Sequence, residues 1–124
     1  MALGFTAAVI NGWLDGTFAT ATCWVKLHTA DPGASGATAA AAGDTSRKQA
    51  TMAAAAGGSK AASASVGPWT NAGTSETVSH ISLWTASTAG TFNASGVLGA
   101  SQAWVNTNTL TLTALTVSVT PIAA

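Results

Sequence analysis

Charge is what this chain has least of: four Lys or Arg and four Asp or Glu in 124 residues, with two His, one Cys and no Tyr. Acid–base, nucleophilic and metal-assisted catalysis all need titratable groups held against one another. That inventory argues against an enzyme, and no cofactor is expected. The bases Lys26, Arg47, Lys48 and Lys60 contain one adjacent pair, and the formal net charge is zero. Nucleic-acid binding depends on clustered Lys and Arg that displace counterions, so no nucleic-acid partner is expected. The single Cys23 excludes an intrachain disulfide framework and reads as a small buried hydrophobe. No stretch reaches the roughly 18 apolar residues of a spanning helix, so no membrane partner is expected either. The opening run from Met1 to Ile10 lacks a basic residue and is broken by Gly4 and Thr6, unlike a secretory signal.

What the chain does have is small residues: 74 of the 124 are Ala, Gly, Ser or Thr, against 29 Val, Ile, Leu, Met, Phe and Trp. Burying one large side chain contributes roughly 1.5–3 kcal/mol, and ordering each residue costs about 1.5 kcal/mol. A core built from so few large residues is thin, and subunit association would reinforce it. A surface with almost no charge also lacks the repulsion that keeps molecules apart. Both features point to a homo-oligomer, with a trimer the preferred state.

The length fits one domain over residues 1–124. Phe5, Val9, Ile10, Trp13 and Leu14 recur at helical spacing and predict an amphipathic helix over 3–15, stopped at Asp15-Gly16. It would cover an open end of a sheet or grip a neighbouring subunit. From Thr22 the period becomes two, with Cys23, Val25 and Leu27 on one face and Trp24, Lys26 and His28 on the other. Asp31, Pro32 and Gly33 turn the chain, and residues 33–45 read as an extended surface loop of small residues. Ser46 to Ala56 predicts a second strand with Ala50, Met52 and Ala54 inward, ended by Gly57-Gly58. The stretch from Ser59 to Ser65 leads to Val66-Gly-Pro-Trp69. Thr77 to Thr85 is the best central strand, and Ala86 to Gly90 links it to Thr91–Leu98. In the last segment, Thr109 to Thr120, the apolar parity switches between Ala114 and Leu115, which a β-bulge would reconcile. The fold class is therefore mainly β: an antiparallel β-sandwich or small barrel of about six or seven strands over 22–120, with a short N-terminal helix.

Few constellations carry chemistry. Cys23, His28, His80 and Asp31 are the only soft-ligand set, and Cys-x4-His with a lone His far downstream matches no compact zinc pattern, so no metal site is expected. A Cys–His nucleophilic pair would need an electropositive setting and a third orienting group. Asp15, Asp31, Asp44 and Glu76 fall at unrelated turns, so no carboxylate pair for glycoside cleavage stands out. His28 and Asp31 read as structural groups at the strand-to-turn junction. Trp24, Trp84 and Trp69 would suit a sugar platform, but core or interface anchoring is the favoured reading for them and for Trp13. Asn93-Ala-Ser95 is a glycosylation sequon without a secretory context.

Two segments together resemble a known group: Trp24-Val-Lys-Leu-His-Thr-Ala-Asp-Pro-Gly33 and Ser75-Glu-Thr-Val-Ser-His-Ile-Ser-Leu-Trp-Thr-Ala-Ser-Thr-Ala-Gly-Thr-Phe92. They are similar to the small accessory virion proteins of tailed bacteriophages, especially those of actinobacteria, described as head decoration, head fibre, tail fibre or minor tail proteins. That group often has an acidic residue where this chain has Thr85, and its members are less monotonous over the region matching Ala34 to Ala42. The resemblance implies a non-enzymatic part of the virion, on the capsid surface or tail, with the major capsid protein or tail proteins as partners.

Overall fold

The computed structural model describes residues 3–120. Met1 and Ala2, at the head of the run weighed as a signal, and residues 121–124, at the end of the expected domain, lie outside the described residues.

Helix α1 (Ala7–Thr17) is followed by a one-turn 3-10 segment (Thr20–Thr22) and eight strands. These are β1 (Trp24–His28), β2 (Lys48–Gln49), β3 (Ser59–Ala61), β4 (Val66–Thr70), β5 (Glu76–Trp84), β6 (Phe92–Trp104), β7 (Thr109–Leu112) and β8 (Thr116–Ser118). Four of them form an antiparallel sheet in the order β2-β1-β5-β6, and the two-stranded pairs β3-β8 and β4-β7 supply the other side of a sandwich-like core. No barrel closes. The chain is thus mainly β with one short N-terminal helix, and has one or two strands more than expected.

The period-two pattern of β1 sends Cys23, Val25 and Leu27 into the core, where they are fully buried with Ile81 and Leu83 of β5. Opposite them lie Val66 and Trp69 of β4, with Leu110, Leu112 and Val117 of β7 and β8 packed against the cluster. The bulk of the core comes from Trp69 and Trp104, both almost wholly buried. Their indole N–H groups donate to the carbonyls of Ser46 and Asn108, which removes the penalty of burying an unpaired donor.

Four expectations need correction. The helix runs past Asp15-Gly16 to Thr17 and is capped by Thr6, whose hydroxyl accepts the N–H of Val9. Only Ile10 and Leu14 of its apolar stripe are buried; Phe5, Val9 and Trp13 are about half exposed. The cause is polar. Asn11 and Asp15, one turn apart, accept the N–H groups of Gly58 and Ala55, and Lys60 reaches back to Asp15 at 2.7 Å. These hooks rotate the helix so that the 10/14 and 11/15 rows meet the body and the 9/13 row faces out.

The second strand is not continuous over Ser46–Ala56. Lys48–Gln49 pairs with β1, Met52 then bridges to Ala62, and Ala54 is exposed. Ser59–Ala61, expected only as a connecting stretch, is strand β3. An alanine run offers little side chain to hold one sheet, and the chain passes between layers. The loop after Gly33 is not extended over the surface either. Ala41 donates to the carbonyl of Leu27, Thr29 donates to that of Ala39, and Ala41 is fully buried. Small residues permit this: a Cβ on Gly36, at φ 72°, would lie 2.5 Å from the Phe92 ring. Finally, the parity switch at Ala114-Leu115 is a change of partner, since β7 pairs with β4 and β8 with β3.

Candidate functional site

The face of β1 and β5 turned away from the core carries most of the side chains singled out in the sequence. Register places Trp24 opposite Trp84, Lys26 opposite Ser82 and His28 opposite His80. His28 and Ser82 are nonetheless fully buried, because the segment after Gly33 lies over them. His28 Nδ1 is 2.9 Å from the carbonyl oxygen of Thr38, and Nε2 is 2.7 Å from Ser82 Oγ. Trp84 Nε1 donates to the same Oγ at 2.7 Å. These contacts fix every proton in a neutral ring. A carbonyl only accepts, so Nδ1 carries the hydrogen, Nε2 accepts from the Ser82 hydroxyl, and that hydroxyl accepts from Trp84. Burial holds the His28 pKa below its ordinary value, against the Thr38 carbonyl, which favours the charged form, and with added repulsion from Lys26.

A serine hydroxyl 2.7 Å from an imidazole has the spacing of a nucleophile and its base. The surroundings remove that chemistry. Ser82 has no exposed surface, its oxygen already accepts the indole N–H, and the ring is oriented by a neutral carbonyl where a hydrolase uses a carboxylate. The arrangement fastens β1, β5 and the 33–45 segment to one another.

His80 forms a separate chain. Ser79 Oγ donates to the Thr29 carbonyl, so His80 Nδ1, 2.8 Å away, donates to Ser79. Asp31 Oδ1 accepts the N–H of Gly33 at 2.9 Å, Pro32 is buried, and Gly33 has φ 73°, so the three residues form a side-chain-closed turn. Cys23 lies on the opposite face of β1, and burial pushes its thiol up to about 11. Among the described residues no three His, Cys, Asp or Glu side chains come together.

Trp24 and Trp84 are half-buried and their N–H groups are committed, Trp24 to the Ala21 carbonyl and Trp84 to Ser82. The Arg47 guanidinium lies 3.9 Å from the Trp84 ring centre, and its Nη1 donates to the carbonyls of Ala86 and Ala89. Phe92 packs at 5.5 Å from the same indole. Trp84 is therefore sandwiched rather than offered to a ligand. Trp13 stands apart on α1, edge-on to Phe5 at 4.8 Å.

Three polar anchors escaped the sequence reading. Glu76 accepts the N–H groups of Ala42 and Gly43. The buried Asn71 donates to the carbonyls of Thr74 and Trp104 and accepts from Gly73 and Thr74. Lys60 is buried against Asp15 and the Ala53 carbonyl. The only advance signal was that so few polar side chains had to serve so many turns.

A concavity lies elsewhere, between β6 and the β7–β8 side, with a volume of about 840 Å³. Ile81, Leu83, Leu98, Leu110, Leu112 and Val117 are among the residues that line it, and none of its lining residues is ionisable. It can hold apolar side chains or backbone, but it has no acid, base or metal ligand.

No curated protein matches this chain. Residues 5–120 match the family described as "Podophage GP4 fiber I protein gp80", which agrees with a β-rich body whose buried polar groups all serve the fold, and the chain belongs to that phage fibre protein family.

Proposed function

We propose that the protein is a structural subunit of a fibre on the outside of a phage head, working as a homo-oligomer seated on the major capsid protein. The family match over residues 5–120 carries the fibre reading. The geometry supports a structural role: Ser82 and His28 are sealed, the Cys23 thiol is held protonated, and no buried side-chain polar atom among the described residues lacks a partner. The two sequence segments resemble head decoration, head-fibre, tail-fibre and minor tail proteins alike, and the head is the placement we put to the test. Immunogold labelling or cryo-EM of intact particles tests it, with density expected on the capsid surface. Density on the tail would move the same subunit to a tail fibre, and absence from purified particles would overturn the virion reading.

A host-glycan module is the competing class. The sandwiched Trp84 and the committed indole N–H groups weigh against it, and the expected result on a glycan array is no binding.

A further inference from the structure

The cover over His28 is lightly held. Every residue from Ala34 to Ala42 is Ala, Ser, Gly or Thr, and between Gly33 and Ala40 only Gly36 is buried, seated against the Phe92 ring. Two backbone bonds tie this segment to β1, Thr29 N–H to the Ala39 carbonyl and Ala41 N–H to the Leu27 carbonyl, and the His28 ring adds its bond to the Thr38 carbonyl. Ala39 sits at φ 54°, a left-handed conformation that residues with a Cβ rarely adopt. Beneath it β1 pairs with β5 over five residues, and β5 pairs in turn with β6. A segment with few buried apolar contacts and few bonds opens before the sheet it covers.

The closed arrangement accepts only a neutral ring. A proton on Nε2 would face Ser82 Oγ, which already accepts the Trp84 N–H. The Ser82 hydroxyl would then have to turn its own hydrogen away from Nε2, and among the described residues no other hydrogen bond engages that oxygen. Nor does any carboxylate balance the charge. Asp31 is spent on Gly33 N–H, Asp44 on Ser46, Glu76 on the N–H groups of Ala42 and Gly43, and Asp15 on Lys60. The neighbours that do face the ring are Lys26, two residues along the same face of β1, and His80, opposite it on β5. Arg47 adds positive charge beside Lys26, and β6 carries no ionisable side chain. A buried cation in that setting is relieved only by water.

We propose that residues 33–41 form a proton-released strap: when His28 takes up a proton, the strap lifts from the outer face of the sheet while β1 and β5 stay paired. Opening gives the Nε2 hydrogen to water, relaxes Ala39 and uncovers the Phe92 ring beneath Gly36. The direction with pH follows from linkage. Burial holds the His28 pKa down in the closed state, and an open strap returns the ring to about 6.5. Opening therefore binds a proton, and its population rises as pH falls below that value. The strap belongs to the single subunit and does not depend on the fibre reading.

The test is amide hydrogen exchange of the full chain, corrected for intrinsic rates, between about pH 8 and about pH 5, above the ordinary carboxylate range. The amides of Thr29, Thr38 and Ala41, all bonded within or to the strap, should be less protected than those of β5. Their exchange should be nearly unchanged by low urea, the mark of a local opening, whereas β5 exchange should quicken with urea. On acidification their protection should fall by about threefold to about thirtyfold, the upper figure being the ceiling set by one imidazole. His28→Gln should abolish that pH dependence and His80→Gln should keep it. His28 and His80 are the only imidazoles, so the His80 variant decides the sensor even if His28→Gln does not fold. Strap amides that exchange only together with β5 and with its urea dependence, that are already unprotected at pH 8, or that show no pH dependence overturn the proposal. So does a pH dependence that survives His28→Gln or disappears in His80→Gln.

Discussion

The two edges of one sheet are finished in opposite ways. Around β1 and β2 the chain closes on itself. Residues 39–41 bond along β1 beyond the end of β2, Arg47 pins the 86–89 turn across Trp84, and His28, Ser82 and Thr38 lock the outer face. β6 itself carries no ionisable side chain, and Val97 is 73% exposed. All of the chain's charged side chains precede its final third. With so few polar side chains available, they are concentrated where the fold must hold itself together. The side left without them is the side where an apolar, hydrogen-bonding edge has something to gain from outside.

The largest expected effect lies at the closed core. Trp69→Ala removes a fully buried indole and its bond to the Ser46 carbonyl, and should lower unfolding free energy by about 3–5 kcal/mol in urea denaturation. A comparably large loss from Val97→Ala, on the open edge, would break the contrast. Ser82→Ala comes next. It leaves the Trp84 N–H and His28 Nε2 without their shared partner, and should cost about 1–3 kcal/mol. If it also changed oligomer size, the two sides would be coupled rather than independent.

The sequence discloses the alternating strands well because their burial follows period two: Cys23, Val25 and Leu27 are inward as read, and β5 is the central strand between β1 and β6. It discloses poorly what depends on partners far along the chain. Nothing local says that Asn11 and Asp15 would grip residues 55–60 and turn Trp13 outward. Nor does alternation reveal that Leu112 and Val117 belong to different strand pairs. The His28 site was half legible. Its place at the strand end was clear from the pattern, but Ser82 looked like one serine among many. The cover over both is made of Ala, Gly and Thr, residues whose burial leaves no hydrophobic signature.

A pH series sharpens the contrast. Burial depresses the folded-state pKa of His28, whereas the unfolded chain takes up its proton near about pH 6.5. Between those two values the unfolded state binds more protons, so stability rises with pH across that window. The contribution of neutral His28 is therefore fully present above about pH 6.5 and is lost as pH falls through the window. Melting temperature should drop on acidification from about pH 8 to about pH 5, and His28→Gln should flatten that slope.

The smallest expected effect runs the other way. The turn joining β6 to β7 places Thr107 at φ 76°, a region that disfavours β-branched residues and that glycine adopts freely. Its N–H donates to the Asn71 carbonyl, a backbone bond that glycine retains. Thr107 is exposed, so replacing it removes no core packing. Thr107→Gly relieves the local clash but gives the unfolded chain more freedom, so a net stabilisation of up to about 1 kcal/mol is expected. The substitution lies where the chain crosses from the sheet to the opposite layer. If the open side is held by outside contacts, the gain should appear in the unfolding of dilute monomer and leave the association midpoint within about twofold of wild type. A large shift in that midpoint would mean that the turn sets the spacing of the β6 and β7 edges and that its strained threonine is part of the contact.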